Sequence, residues 1–198
     1  VSISNDNNYI AYAEIDTSGT LIKSSVKIIS IEKAQKQTEE STVYSKDAEN
    51  SKMIIKIKYQ EKNDLVCVYD DQIDIIKNNK ESELFKKDDS VTFMSGDLNN
   101  NIAYIKEEQK GVFDTSSILN IVNTSSEQTC SYKFNEVAKE MYTYENIIGI
   151  NIGTEIYFIS TNGILKKKYT ASQEITNVII SNNLGIVIYK DRVEIVNL

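Results

Sequence analysis

The sequence predicts an all-β protein, and three observations carry that reading. The pattern apolar, polar, apolar, apolar, polar returns five times, as Val26-Lys27-Ile28-Ile29-Ser30, Ile73-Asp74-Ile75-Ile76-Lys77, Leu119-Asn120-Ile121-Val122-Asn123, Ile156-Tyr157-Phe158-Ile159-Ser160 and Val193-Glu194-Ile195-Val196-Asn197. The copies start 47, 46, 37 and 37 residues apart. Helix signals are poor, with residues 135–141 the one stretch able to hold a turn of helix. Strand-rich self-similarity at a period of about 40 residues is the signature of a propeller of four-stranded blades. The prediction is therefore a β-propeller of about five four-stranded antiparallel blades, in one domain over residues 1–198, with units at about 1–45, 46–87, 88–135, 136–170 and 171–198.

Each unit justifies its strands in turn. An apolar strand precedes every repeated core, at 9–15, 65–69, 102–105, 147–152 and 184–189. Before three of these comes a further strand that ends in a small residue and an Asn- or Asp-rich turn. These are Val1-Ser2-Ile3-Ser4 with Asn5-Asp6-Asn7-Asn8, residues 91–95 with Gly96-Asp97, and residues 178–181 with Asn182-Asn183. Asn, Asp and Gly tolerate the positive φ of tight connections. After each of the first four cores a weaker strand alternates with Lys or Glu, at 42–44, 84–86, 130–134 and 165–169, as an outer edge kept soluble by charge would. Labelling the strands of a unit a to d, the repeat predicts that Ile28, Ile75, Ile121, Phe158 and Ile195 are equivalent and buried between blades. The last unit has no strand d. A strand from upstream of Val1 would complete it, and a chain that opens on Val inside a repeat reads as a fragment of a larger propeller.

Composition narrows the chemistry. The formal charge is −7, the sequence pI is about 4.8, and no long basic cluster offsets the acids. Nucleic acid binding needs Lys and Arg against phosphates and is not expected. Lys166-Lys167-Lys168, the densest basic run, cannot share one face of a strand and reads as a solvated outer strand. There is no His, which removes Ser-His and Cys-His nucleophile activation and a common metal ligand. Cys67 and Cys130 fall in strands of different rank and read as two buried thiols, which leaves the redox compartment open. No stretch reaches the roughly 18 apolar residues of a membrane helix, no signal peptide is visible, and no phosphate-cradling glycine motif occurs. No cofactor and no metal is expected.

Residues 1–12, Val1-Ser2-Ile3-Ser4-Asn5-Asp6-Asn7-Asn8-Tyr9-Ile10-Ala11-Tyr12, resemble a TolB-type or WD40-like propeller repeat, which reads strand, Ser, Asp-Gly turn, Tyr-Ile-Ala-Tyr/Phe. Asn101-Ile102-Ala103-Tyr104 repeats the end of that motif. The chain departs from it in having Asp-Asn for Asp-Gly, no preceding Pro and no Trp-Asp pair. As a whole it also resembles propeller proteins of low-GC Gram-positive bacteria that carry one N-terminal membrane helix. That resemblance implies an extracytoplasmic, cell-surface location, with membrane contact only through an upstream anchor outside this chain.

In a propeller the b–c and d–a connections share a face that commonly carries binding. Two b–c connections read as long, 16–25 and 107–117, and the candidate binding residues lie there. They are Thr20 and Leu21 in the first, and Lys110, Val112, Phe113 and Asp114 in the second. Phe113 is a large apolar residue in a polar loop and would serve as an anchor; the competing reading tucks it under its own loop. Acids surround the d–a connections: Asp47, Glu49, Asp88, Asp89, Glu136, Glu140 and Glu174. Paired carboxylates there would suit a glycosidase and a ring of them would suit Ca²⁺, although turn acids are ordinary in an acidic chain. Asp70-Asp71 reads as a hairpin tip, with Asp74 pointing away along the next strand. The sequence thus supports a non-enzymatic scaffold that binds a protein or cell-envelope component. A carbohydrate-active enzyme and a purely structural envelope module remain as alternatives. The strand-a interiors Met53-Ile54-Ile55 and Val91-Thr92-Phe93 carry no acid of the kind an enzyme would place there.

Overall fold

A computed structural model describes residues 1–37, 40–48, 52–109 and 114–198. Among them are nineteen strands and one short helix, in five antiparallel sheets. The chain divides into two compact units, Val1–Asp88 and Asp89–Leu198.

The first unit holds two four-stranded sheets, each running in chain order. One is β1 (Ser2–Ile3), β2 (Tyr9–Asp16), β3 (Lys23–Ser30) and, after the helix α1 (Ile31–Gln35), β4 (Thr42–Asp47). The other is β5 (Ile54–Tyr59), β6 (Leu65–Tyr69), β7 (Gln72–Lys77) and β8 (Lys80–Lys86). The second unit holds β9 (Val91–Leu98), β10 (Asn101–Gln109), β11 (Thr115–Asn123) and β12 (Thr129–Lys133) in one sheet. Its next sheet is β13 (Glu140–Tyr144), β14 (Ile147–Asn151), β15 (Glu155–Ser160) and β16 (Leu165–Thr170). Its last has three strands, β17 (Asn177–Ser181), β18 (Leu184–Ile188) and β19 (Val193–Asn197). Every repeated core lies in a third strand, as the repeat requires.

Two of the hairpin turns follow from paired asparagines. Asn78 and Asn79 have φ of 49° and 59°, and Asn182 and Asn183 have 46° and 62°. Each pair alone joins two strands, the double positive φ of a type I′ hairpin, whose twist matches that of the strands. In the opening turn the Ser4 hydroxyl donates to Asp6 Oδ1 at 2.6 Å and accepts from the Tyr9 amide at 2.9 Å. The amide of Asn8 donates to Asp6 Oδ1 at 3.0 Å. These bonds hold the Asp6 carboxyl below its usual range and replace the glycine of the related repeat.

The cores show which way each third strand faces. In the first unit Val26 and Ile28 of β3 pack with Leu65, Cys67 and Ile76 of the second sheet. In the second unit Leu119 and Ile121 of β11 pack with Ile148, Ile150 and Ile159 of the next sheet. Ile156 and Phe158 of β15 pack with Val178, Ile180 and Val187 of the last. The first and third positions of the pattern thus face the following sheet. The fourth, in Ile76, Ile159 and Val196, faces the preceding one. Burying each such side chain contributes about 1.5–3 kcal/mol. Phe158 is fully buried because glycine makes room for it. A Cβ on Gly185 would stand 2.5 Å from its Cζ, and one on Gly149, its partner across the strands, 3.7 Å from its Cε1.

Three expectations are corrected. Ile195 is 69% exposed, while Ile28, Ile75, Ile121 and Phe158 are buried. Its position faces onward from the last sheet, and Val193 beside it is exposed too. The helix falls at Ile31–Gln35 and not within 135–141, because Ser30 caps it by accepting from the Lys33 amide at 3.4 Å and Lys36 pairs with Glu32 one turn back. The long connections shorten because their polar flanks pair as strand. Glu14, Ile15 and Asp16 pair with Ser25, Ser24 and Lys23, and Glu107, Glu108 and Gln109 with Ser117, Ser116 and Thr115. Lys166, Lys167 and Lys168 are exposed on the outer strand β16, as expected.

Phe158→Ala is expected to cost about 3–5 kcal/mol, whereas Ile195→Ala should stay within about 0.5 kcal/mol of the parent. Urea denaturation of both variants checks the pair. Equal losses would contradict the facing assigned to the last sheet.

Candidate functional site

Of the candidate binding residues, Thr20 and Leu21 stand exposed in the β2–β3 connection and Asp114 is exposed just before β11. Lys110, Val112 and Phe113 lie outside the described residues. The structure draws polar groups together at the b–c and d–a end of the first two sheets.

There a cleft of about 280 Å³ is lined by Lys46, Ala48, Lys52, Tyr69, Gln72, Asp74, Glu81, Ser82, Glu83 and Lys86. Lys46 comes from β4, the outer strand of the first sheet, and the others from the second sheet and the segment joining the two. The hairpin tip is as the sequence predicts, with Asp70 and Asp71 alone separating β6 from β7. Asp70 Oδ1 accepts from the Met53 amide at 3.0 Å, and Asp71 pairs with Lys52 at 3.4 Å. Lys52 also donates to Gln72 Oε1, and Gln72 Nε2 donates to Asp74 Oδ2 at 2.7 Å. On the other wall Glu81 is held by Lys46 and by the Tyr69 hydroxyl, which donates at 3.2 Å.

Asp74 lies along β7 beyond the hairpin tip, and the residue is 4% exposed, opposite Cys67 and Glu83 in register. It occupies the second position of the pattern, on the same face as Ile76, and that face is covered by the first sheet. Its Oδ1 is buried without a hydrogen-bond partner. Burial is the main cause that pushes its carboxyl above the ordinary value of 3.8, and the nearby Glu83 adds to it, against Gln72, Lys46 and Lys52. Burial also pushes the Cys67 thiol up to about 12, so this cysteine is a packed thiol and not a nucleophile. Both cysteines are free, Cys67 buried and Cys130 half-buried.

Of the acids at the d–a connections, Glu140 and Glu174 make contacts within the fold, and Glu49 lies outside the described residues. Glu140, half-buried at the start of β13, accepts from the Val178 amide at 3.1 Å and ties the fourth sheet to the last. Its pKa is raised, chiefly by burial, so a strand of rank a does carry a shielded acid, one the sequence comparison of strands 53–55 and 91–93 did not reach. Glu174 pairs with Lys139 at 2.6 Å on the surface. Among the described residues no three His, Cys, Asp or Glu side chains are grouped to hold a metal ion. No helix among them is long and apolar enough to cross a membrane.

The sequence profile described as a family of unknown function, DUF5711, matches residues 1–198. The chain belongs to DUF5711. No curated protein matches it by sequence. In structure this DUF5711 chain is similar to the β-propeller domain of the trilobed protease from Pyrococcus furiosus, with a TM-score of 0.59, 11% identity, and 98% of this chain and 66% of that one covered. It is similar to Hsv2 of Kluyveromyces marxianus, with a TM-score of 0.55, 11% identity, and 93% and 59% covered. It is also similar to an acylaminoacyl peptidase of Pyrococcus horikoshii, with a TM-score of 0.54, 8% identity and 91% covered, and it spans 33% of that enzyme. At these identities the likeness is one of fold, and the fold of this DUF5711 chain is that of a β-propeller scaffold.

The shielded carboxyl generates a pH-dependent expectation. Below about pH 3.8, Asp74 is protonated folded and unfolded alike. As pH rises, the unfolded chain releases that proton first, so the native state holds more protons and the residue costs stability. Asp74→Asn should therefore raise the Tm at pH 7 by about 2–4 °C, a gain that shrinks towards pH 4. Differential scanning calorimetry across that range checks it. A loss of Tm at pH 7 would show a carboxylate that the fold needs in its charged form.

Proposed function

We propose that the chain is a non-enzymatic binding module, a propeller scaffold that engages a protein or cell-envelope component through the b–c and d–a end of its sheets. The observation that carries this is the cleft between the first two sheets, at that end, with a carboxyl whose Oδ1 is left without a partner. Proteins seldom keep an orphaned buried polar atom, which costs about 1–3 kcal/mol, unless the site has a use for it. The paired flanks 14–16 with 23–25 and 107–109 with 115–117 stand at the b–c ends of their own sheets and carry polar residues on a rigid support, where binding residues concentrate. The location proposed is extracytoplasmic, with an anchor upstream of this chain; the resemblance to membrane-anchored propeller proteins of low-GC Gram-positive bacteria supports it.

The test is co-sedimentation with purified Gram-positive cell envelopes. The chain should pellet with them, and variants with both hairpins cut to two-residue Asn-Gly turns should stay in the supernatant with their Tm unchanged. Undiminished pelleting of those variants would favour a structural module. Hydrolysis of envelope glycans that disappears in Glu140→Gln or Asp74→Asn would favour an enzyme.

A further inference from the structure

We infer that the cleft beside Asp74 binds a neutral polyhydroxylated ligand, a single sugar unit of a glycan. This rests on the reading of that end of the sheets as a binding face and names the chemistry it takes.

Charge comes first. The cleft is lined by three ammonium groups, Lys46, Lys52 and Lys86, and three carboxyls, Asp74, Glu81 and Glu83. A phosphate or other anion would enter against three carboxyls, and a cation against three ammonium groups. A neutral ligand meets neither repulsion.

The hydrogen-bond inventory points the same way. Lys46 and Glu81 are committed to each other, and Lys52 to Asp71 and Gln72. What is left is Asp74 Oδ1, buried without a partner, with the side chains of Glu83 and Lys86 at the mouth. This mixture of acceptors and donors is what vicinal hydroxyl groups satisfy, since each both donates and accepts. A hydroxyl also serves either state of the Asp74 carboxyl, donating to the carboxylate or accepting from the acid. An ammonium group serves only the carboxylate, the form that burial disfavours here. A zwitterionic amino acid is therefore the poorer fit. Size sets the last limit: at about 280 Å³ the cleft falls just below the range of about 300–1,000 Å³ found for drug-sized ligands, so it takes one small unit.

The experiment is a titration of the whole 198-residue chain with the methyl glycosides of glucose, galactose, mannose and N-acetylglucosamine, read by amide chemical shifts. Glycine and inorganic phosphate are titrated in parallel. At least one glycoside should shift the signals of Gln72, Asp74 and Glu83. Asp74→Asn should bind it about tenfold more weakly or worse, the loss expected when a buried hydrogen bond involving a charged group is removed. Lys86→Gln, a surface change that leaves the fold alone, should also weaken binding. Binding of none of the four glycosides, a glycine or phosphate response at these residues in their place, or equal affinity of both variants and the parent would overturn the inference. Should envelope pelleting persist and depend on the hairpins but not on Asp74, the broader binding reading stands and the sugar site alone falls.

Discussion

The architecture depends on third strands that pack on both of their faces, as β15 does with Ile159 in one core and Ile156 and Phe158 in the next. In a sheet with one wet face, alternation separates core from surface, and a polar residue marks solvent. Here the first and third positions of the repeated pattern meet the sheet that follows, and the fourth meets the sheet before. The polar second position therefore lands in an interface too. Asp74 lies near Lys46 of β4, the Tyr157 ring stands 6.0 Å from that of Tyr132 of β12, and Glu194 accepts from the Tyr169 hydroxyl of β16. In each case the second position of a third strand reaches the outer strand of the preceding sheet. The rim of every such interface is thus polar and its interior apolar.

That recurrence explains why Asp74 is singular. Glu194 finds a tyrosine and an arginine, whose guanidinium donates at 2.7 Å, and its carboxyl is held below its usual range by those bonds. Tyr157 keeps its hydroxyl on Glu155 at 2.9 Å. Asp74 has only one amide on one oxygen, and the cationic neighbours that would balance it are tied to Glu81, Asp71 and Gln72. A residue of the same rank is satisfied in two interfaces and orphaned in the third. Among the described residues the Tyr59 hydroxyl and Asp71 Oδ1 are buried without a partner as well, and scaffolds give up stability of this kind where a site needs an unspent polar group.

The legible parts of the structure were those fixed by local chemistry. The repeat located all five third strands and Asn182-Asn183 located the β17–β18 hairpin, because both signals depend on a few adjacent residues, whereas Gly96-Asp97 falls inside β9 and the turn follows at Asn99-Asn100. What escaped depends on what covers a face. Ile195 carries the same pattern as Ile121, yet its burial turns on a following sheet, which alternation does not encode. The burial of Asp74 likewise turns on the first sheet, which covers its face. The short helix escaped for a different reason: Ser30 closes the repeated core and caps α1 at once, so the strand signal hid the cap, although Glu32 and Lys36 mark the first turn. The flanks 107–109 and 115–117 looked like a loop because they are polar, yet they pair as strand, with Ser116 and Ser117 buried.

A double-mutant cycle across the fourth and last sheets tests the two-sided packing most directly. Gly185→Ala in the parent drives a methyl group into the ring of Phe158, and in a Phe158→Leu background that ring is gone. The two substitutions should therefore couple, the alanine costing less in the leucine background by at least about 0.5 kcal/mol and up to about 3 kcal/mol. Additive losses would mean that Phe158 does not pack against Gly185, and that the first and third positions of the repeat do not join one sheet to the next.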